Sequence, residues 1–246
     1  MVVQDGTAST VKDAEAKRGS FIDALRGFGV VVGPSIAFHA LTFGSLPALL
    51  VRRFRPLAAI GMGVLAAYWL VVRPWHLRWG ATDDEVAGPL PGDDDLPEPG
   101  ISMTRAVTID APVADVWPWL AQIGQDRGGF YSYEWLENLA GCRMVNATSI
   151  HPEWQHREPG ETTYLHPLSG LTVTRFEPNR AIGLEHWGTY VVAPDDGGTR
   201  TRLISRSRIA RGIPSLAYLL TIEIPHFVME RKMMLGIKER AERHVN

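Results

Sequence analysis

The pattern of apolar and polar residues is clearest in residues 102–124, SMTRAVTIDAPVADVWPWLAQIG. Its first apolar positions recur about every second residue: Met103, Ala106 (or Arg105), Val107 and Ile109. That period is typical of a strand. The next apolar positions recur at helical spacing: Val113, Val116, Trp117, Leu120 and Ile123. Asp110 is expected to cap this helix and Pro112 to occupy its first turn. The stretch therefore predicts a strand running into a short helix, the start of a compact domain.

The remainder of the C-terminal region predicts a second short helix, a sheet and a long final helix. Residues 130–139 are expected to be helical, with Ser132 as the N-cap. Turn residues separate short strand-like segments, and the predicted strands are 161–166, 171–176, 181–187, 189–192 and 199–209. Residues 195–198 predict a hairpin turn. Pro225 opens a final helix expected to reach about Arg243.

The N-terminal region has a different pattern. Residues 1–20 are polar and small and are expected to form a mobile tail. Residues 27–51 and 56–72 contain no Asp, Glu, Lys or Arg, and a helix needs about 20 residues to cross a bilayer. Three interpretations are open: a two-helix membrane hairpin, a single span at 57–72, or a helical cap on the domain.

Charge distribution bears on the orientation of this membrane-associated segment, residues 21–79. Basic residues flank the two runs on the outside: Lys12, Lys17, Arg18, Arg26, Arg73 and Arg78. Only Arg52, Arg53 and Arg55 lie between the runs. Because the more basic side usually stays in the cytoplasm, the hairpin interpretation places both termini there, with the domain at the cell membrane.

Residues 80–101 are rich in proline, glycine and acidic residues. This composition predicts a linker without packed elements, and the acid run Asp93-Asp94-Asp95 is interpreted as a solvated surface rather than a cation site. The alternating basic residues of 200–208 are interpreted as exposed sheet surface, with nucleic acid or anionic lipid as the alternative. The domain itself is expected to span residues 102–246.

The motif Ile109-Asp110-Ala111-Pro112, followed by Val116-Trp117 and Leu120, resembles the opening strand and helix of the START / Bet v 1-like (SRPBCC) superfamily. That group includes polyketide cyclases, lipid-transfer proteins and many bacterial members. The resemblance continues through residues 128–141 and 226–242. It implies an α+β helix-grip fold, a curved antiparallel sheet with two short helices and a long C-terminal helix, here preceded by N-terminal apolar helices. This fold hosts many activities, so the resemblance implies little about function.

Overall composition excludes some classes. The chain has 246 residues and a formal net charge of −2, which gives no reason to expect a nucleic-acid partner. Its single cysteine, Cys142, rules out an internal disulfide. No nucleophile elbow or dinucleotide fingerprint is present, so hydrolase and oxidoreductase activities are not predicted.

The final helix carries the main candidate site. On a helical wheel Glu230 lies in the middle of an apolar face, which comprises His226, Phe227, Met233, Met234, Ile237 and Ala241. In the helix-grip fold the resemblance implies that this face lines the cavity. Glu230 and His226 would then be polar contacts for a ligand, or an acid and base for catalysis. The alternative is that Glu230 is paired in the core, because a buried carboxylate needs a partner.

Other polar and aromatic residues are weaker candidates. The predicted ligand-binding set adds several aromatic side chains to the final helix: Trp117, Tyr131, Tyr133, Trp135, Trp154, Tyr164 and Trp187. Alternation predicts Glu185 and Trp187 on one strand face and His186 on the other. His151, Glu153 and His156 suggest zinc, but no helix sets their spacing and no third ligand is evident, so no metal is predicted.

Two functions fit these observations. The first is a membrane-tethered binding protein for a hydrophobic small molecule, such as a lipid, polyketide or isoprenoid-like compound, without a cofactor. The second is a cyclase- or dehydratase-like enzyme in which Glu230 or a histidine moves a proton. A third class is a structural protein whose cavity is filled by its own aromatic side chains.

Overall fold

The protein has an α+β fold built on one six-stranded antiparallel sheet. A computed structural model describes Gly27, residues 29–45, Pro47 and residues 50–243; the predicted tail, 1–20, lies outside these residues. The strands are β1 (Ile101–Ile109), β2 (Thr162–His166), β3 (Ser169–Glu177), β4 (Ala181–Leu184), β5 (Gly188–Asp195) and β6 (Arg200–Ile209). They lie in the order β1-β6-β5-β4-β3-β2.

Seven α-helices accompany the sheet in the described part of the chain. They are α1 (Gly29–Gly44) and α2 (Arg52–Leu77), α3 (Asp83–Ala87), α4 (Val113–Ala121), α5 (Glu134–Leu139), α6 (Ile213–Thr221) and α7 (Glu223–Arg243). The two short helices, α4 and α5, follow β1, and the long α7 packs on the sheet. This is the predicted helix-grip architecture, and the fold class is confirmed.

The main core lies between α7 and the sheet face that we call the inner face. Residues of β1, β4, β6 and both α4 and α7 contribute to it, among them Ile109, Trp119, Ile182, Leu203 and Ile237, each at most 1% exposed. The apolar face predicted for α7 is confirmed as buried at Met233, Met234, Ile237 and Ala241. Periodicity located this face because a helix against a sheet buries a single stripe.

Several local predictions were wrong. Asp110 is not the N-cap of α4; Pro112 is, and the Asp110 carboxylate lies 3.7 Å from Lys238 Nζ of α7. Ser132 does not cap α5, which follows Tyr133, because its hydroxyl donates instead to the Met229 carbonyl of α7 (2.9 Å). In both cases a residue of α7, distant in the sequence, contacts the side-chain group that the local sequence assigned to a helix cap.

The strand predicted at 181–187 ends earlier, at Leu184. Glu185, His186 and Trp187 form the turn to β5, and His186 has a positive φ of 60°. The alternation predicted for these three side chains therefore does not apply. Glu185 and His186 are exposed, whereas Trp187 turns inward and contacts His226, with ring centroids 4.4 Å apart.

The prediction that residues 80–101 contain no packed element was wrong. A reciprocal capping box between Thr82 and Glu85 starts α3. Glu85 then pairs with Arg202 of β6 (2.7 Å). Further along, Asp93 pairs with Arg206 (2.7 Å) and Arg208 (3.0 Å). The acidic segment thus covers the outer face of the sheet by charge complementarity.

The same contacts correct the interpretation of the basic row on β6. Arg206 is 5% exposed, and its guanidinium also donates to the carbonyls of Gly88 (2.9 Å) and Val86 (3.1 Å). Beneath these polar contacts a small apolar cluster forms from Ala106, Ala181, Val191 and Ile204, with Ala81 and Leu90 against it. Most of the basic side chains of β6 are therefore covered by residues 80–101 rather than exposed to solvent.

The N-terminal helices form an antiparallel pair. Gly61 of α2 lies so close to Ser45 that a Cβ would be 2.7 Å from its hydroxyl, and the rings of Phe38 and Tyr68 are 5.1 Å apart. By length and composition α2 is apolar enough to cross a membrane, and 11% of its most apolar window is buried. α1 is apolar but shorter.

The base of this hairpin is ion-paired into the domain. Arg73 of α2 donates to both carboxylate oxygens of Glu223 at 2.9 Å, and Tyr68 donates to the same carboxylate at 3.1 Å. Glu223 is fully buried. The main chain continues across the edge of β1, where the Trp79 carbonyl accepts from the Ala106 N–H (2.9 Å). The hairpin is consequently docked to the domain through a buried charge pair.

Replacing Arg73 by methionine should destabilise the domain by about 3 kcal/mol, because it leaves the buried Glu223 carboxylate without its cation. Denaturant unfolding of the full chain in detergent measures this loss. Arg78→Met is the matched control, since Arg78 pairs with Asp83 at an exposed site and should cost less than about 1 kcal/mol. Equal losses in the two variants would contradict the docking role of Arg73.

Candidate functional site

Glu230 is the centre of a polar cluster inside the domain. It lies two turns into α7, on the face that contacts β1, β5 and β6, and it is 3% exposed. Arg105 of β1 donates to one carboxylate oxygen at 2.5 Å. Ser205 of β6 and Tyr190 of β5 donate to the other at 2.6 and 3.2 Å. Three strands thus supply partners to one carboxylate.

His226 extends the cluster by one helical turn. Its Nε2 lies 3.5 Å from Glu230, and its Nδ1 lies 2.7 Å from the hydroxyl of Tyr218 in α6. The ring of Trp187 packs on it, and the Trp187 Nε1 donates to the Tyr190 hydroxyl at 3.0 Å. The cluster therefore joins α6, α7 and the β4–β5 turn.

The charges of this cluster are fixed by one another. Burial alone would raise the pKa of Glu230, but His226, Arg105 and the Ser205 hydrogen bond hold that pKa well below its usual range. Burial, with the Glu230 charge beside it, raises the pKa of Tyr190 well above the usual value for a phenol. Burial also raises the pKa of Tyr218. The carboxylate stays ionised and both phenols stay neutral, so the pairing interpretation of Glu230 is the better supported one.

Three buried polar atoms near this centre have no hydrogen-bond partner among the described residues. They are Arg105 Nη2, His226 Nε2 and Ser207 Oγ. Ser207 faces inward two residues after Ser205 and is 1% exposed. His226 Nε2 nevertheless lies 3.5 Å from the Glu230 carboxylate, so it belongs to the charge cluster rather than to a free site.

A cavity of about 580 Å³ lies on the other side of Trp187. It is bounded by the acidic segment, the β4–β5 turn, the outer face of β5 and β6, and the start of α6. Its apolar walls are Pro91, Leu96, Leu184, Trp187, Ile209, Ala210 and Pro214. Arg206 and Arg208 also line it, but both are ion-paired with Asp93. This cavity is distinct from the α7 face on which the sequence placed the ligand.

The structure distributes the predicted ligand-binding residues over several environments. Glu230 and His226 are together in the cluster, and Trp187 touches both the cluster and the cavity. The core contains Trp117, Tyr131, Met233, Met234 and Ile237. Tyr133 and Trp154 are half-buried, whereas Trp135 and Tyr164 are exposed. Sequence reasoning missed Arg105, Tyr190, Ser205 and Tyr218.

The residues considered for metal binding do not assemble into a site. The His151 ring stacks on Trp154 with centroids 4.1 Å apart, and its Nδ1 is 3.3 Å from Glu153. Within the part of the chain that the structure describes, no group of three or more His, Cys, Asp or Glu residues could hold an ion.

Comparisons with known proteins add little to this geometry. No protein-family model and no curated protein matches the chain. Among solved structures, it is similar to the solution NMR structure of a "Polyketide_cyc-like" protein from Corynebacterium glutamicum. The identity is 16% and the TM-score 0.31, over 59% of this chain and 93% of that one. A likeness of this degree carries no argument about function.

Glu230→Gln should destabilise the domain by about 3–5 kcal/mol, because the buried Arg105 guanidinium loses its counter-charge. Urea unfolding of the full chain in detergent measures the loss. Glu239→Gln is the control, since Glu239 pairs with Arg243 on the exposed face of α7 and should cost less than about 1 kcal/mol. Adding Arg105→Met to Glu230→Gln should recover part of the loss; a purely additive double variant would contradict the pair.

Glu137 of α5 is a second perturbed carboxyl, away from the cluster. It is 8% exposed, and its Oε2 has no hydrogen-bond partner among the described residues. Burial, with the nearby Glu134 charge, raises the pKa of Glu137 to about 7. The folded protein therefore keeps this proton over a pH range in which the unfolded chain, with a carboxyl pKa of about 4.3, has lost it.

The free energy of unfolding should accordingly fall by up to about 3 kcal/mol as pH rises from about 4.5 to about 7. Above that range it should no longer depend on this group. Glu137→Gln should remove this slope and be more stable than the parent protein at pH 8. Unfolding free energies measured across this range check the prediction. Glu158→Gln, at an exposed position, should leave the slope unchanged, and an unchanged slope in Glu137→Gln would exclude Glu137 as its source.

Proposed function

We propose that the protein is a membrane-anchored binding protein for a hydrophobic small molecule. The observation that carries the proposal is the hairpin, whose outer surface is apolar although its base is ion-paired into the domain. On α2 the exposed side chains include Leu57 and Ile60, both 65% exposed, and Leu70, 77% exposed. A contiguous apolar surface of this kind marks an interaction with a membrane or partner.

The helix lengths favour the hairpin interpretation. The charge-free part of α2, residues 56–72, extends about 26 Å and α1 about 24 Å at 1.5 Å per residue. Both are slightly shorter than the hydrocarbon core of about 30 Å, a mismatch that bilayers accommodate by local thinning. The exposed faces of both helices argue against a helical cap folded onto the domain. The charge distribution favours a cytoplasmic domain.

The cavity supports the binding part of the proposal. Its volume of about 580 Å³ lies within the range of about 300–1,000 Å³ typical of small-molecule sites. Its apolar walls, which include Leu184, Trp187 and Ile209, suit a ligand of low polarity, and polar and charged residues such as Asp95 and Glu185 line the remainder. Trp187 connects the cavity to His226 and so to the buried polar cluster. A helix-grip domain beside a bilayer would thus hold a lipid-soluble compound.

The enzyme alternative is less well supported. A general base works best when its pKa is near the working pH, whereas Glu230 is held ionised well below that range. Its oxygens are also occupied by Arg105, Ser205 and Tyr190. A carboxylate held by three donors stabilises the core and has little capacity to accept a substrate proton.

Native mass spectrometry of the full chain, released from nanodiscs, tests the binding function. We expect a co-purifying apolar molecule, and its loss in Thr174→Trp, because Thr174 lines the cavity and an indole at this position would obstruct it. Thr172→Trp, on the same strand but outside the cavity lining, is the control and should retain the molecule. An empty parent protein would contradict the proposed function.

A further inference from the structure

Helix α6 has an outward face without a structural partner. From Gly212 to Ile222 the chain contains no charged residue. Ile213 is 84% and Leu216 56% exposed, and Ala217 is exposed beside them. The opposite side of the helix is held by Tyr218, whose hydroxyl lies 3.2 Å from the Met103 sulfur and 2.7 Å from His226. The exposed face is therefore fixed in orientation.

This helix and the membrane hairpin meet at the same end of α7. On one side of that end, Tyr68 and Arg73 of α2 bind Glu223. On the other, Tyr218 of α6 binds His226. Glu223 follows the last residue of α6 by only two positions. The ion pair that docks the hairpin thus also fixes the distance between the hairpin and α6.

Exposed apolar side chains also lie on α2 and α7 near the hairpin's contact with the domain. On α2, Val71 is 66% and Trp75 54% exposed, and the Trp75 ring packs on Phe227 of α7 at 5.3 Å. The next residue of α7, Val228, is 40% exposed. Tryptophan is the side chain favoured where hydrocarbon meets head groups. The surface at this end of α7 therefore suits a bilayer interface better than water.

The start of α6 also borders the cavity. Ala210 and Pro214 belong to its lining, and Ile213 lies between them in the chain. Any partner that covers the exposed face of α6 would consequently lie beside the cavity.

We propose that α6 is a second membrane contact, which lies in the head-group region of the bilayer that holds the hairpin. An amphipathic helix binds there by burying its apolar face to about 5–10 Å depth. The mouth of the cavity then faces lipid, so the ligand is a membrane-dissolved molecule that enters sideways without crossing water. The inference rests on the proposed membrane anchor and adds the place and route of ligand entry.

Lipid quenching of site-specific labels tests this contact in the full chain. In a Cys142→Ser background, single cysteines at Leu216, Ala210, Val64 and Glu239 are labelled with an environment-sensitive fluorophore. The protein is reconstituted in phosphatidylcholine vesicles that contain spin labels at shallow or deep chain positions. We expect loss of fluorescence at 216 and 210 with the shallow quencher, at 64 with the deep quencher, and at 239 with neither.

The label positions separate the two proposals. Quenching at 64 but not at 216 would overturn the α6 contact and leave the membrane anchor intact. No quenching at 64 would overturn the anchor and with it the inference. A label at 216 that is shielded from water, unquenched by lipid and dependent on protein concentration would indicate a second copy of the chain on α6, and would also overturn the proposal.

Discussion

Two buried ion pairs on one face of α7 hold the structure together. Glu223 and Glu230 are seven residues apart, two helical turns, so both carboxylates point to the same side. Arg73 of the hairpin binds the first and Arg105 of β1 binds the second. A carboxylate in such surroundings is stable only while its cation is present. Hairpin, helix and sheet are therefore interdependent, although they are far apart in the sequence.

Part of this arrangement could be predicted from sequence. Strand and helix periods located β1, the strands of the sheet and the buried face of α7, including Glu230. The partner of Glu230 also left a signal. On β1 the inward positions Met103, Val107 and Ile109 are apolar, and Arg105 interrupts them at the same period. A charge on an apolar strand face requires a buried counter-charge, and Glu230 is the matching one.

Other features could not be predicted because they depend on pairing across the chain. The acidic segment has the composition of a linker, and only the arginines of β6, more than a hundred residues later, make it a packed layer. Arg157 is similar: it is 1% exposed and donates to the Ala121 carbonyl at the end of α4 (2.9 Å). Local sequence does not show which carbonyl an arginine will reach. Charge complementarity over distance has no period that a sequence pattern can reveal.

The ion pair between Arg73 and Glu223 also has a consequence for function. Because Glu223 binds Arg73 in a two-point geometry, which fixes orientation as well as distance, the domain cannot swing freely on the hairpin. The positions of α6 and of the cavity relative to the hairpin are then set by the fold rather than by a flexible tether. A tether would let the domain sample the bilayer from any side. In the membrane-anchored arrangement that we propose, a docked hairpin presents one face of the domain to the bilayer, and we infer that this is the face on which α6 leaves Ile213 and Leu216 exposed.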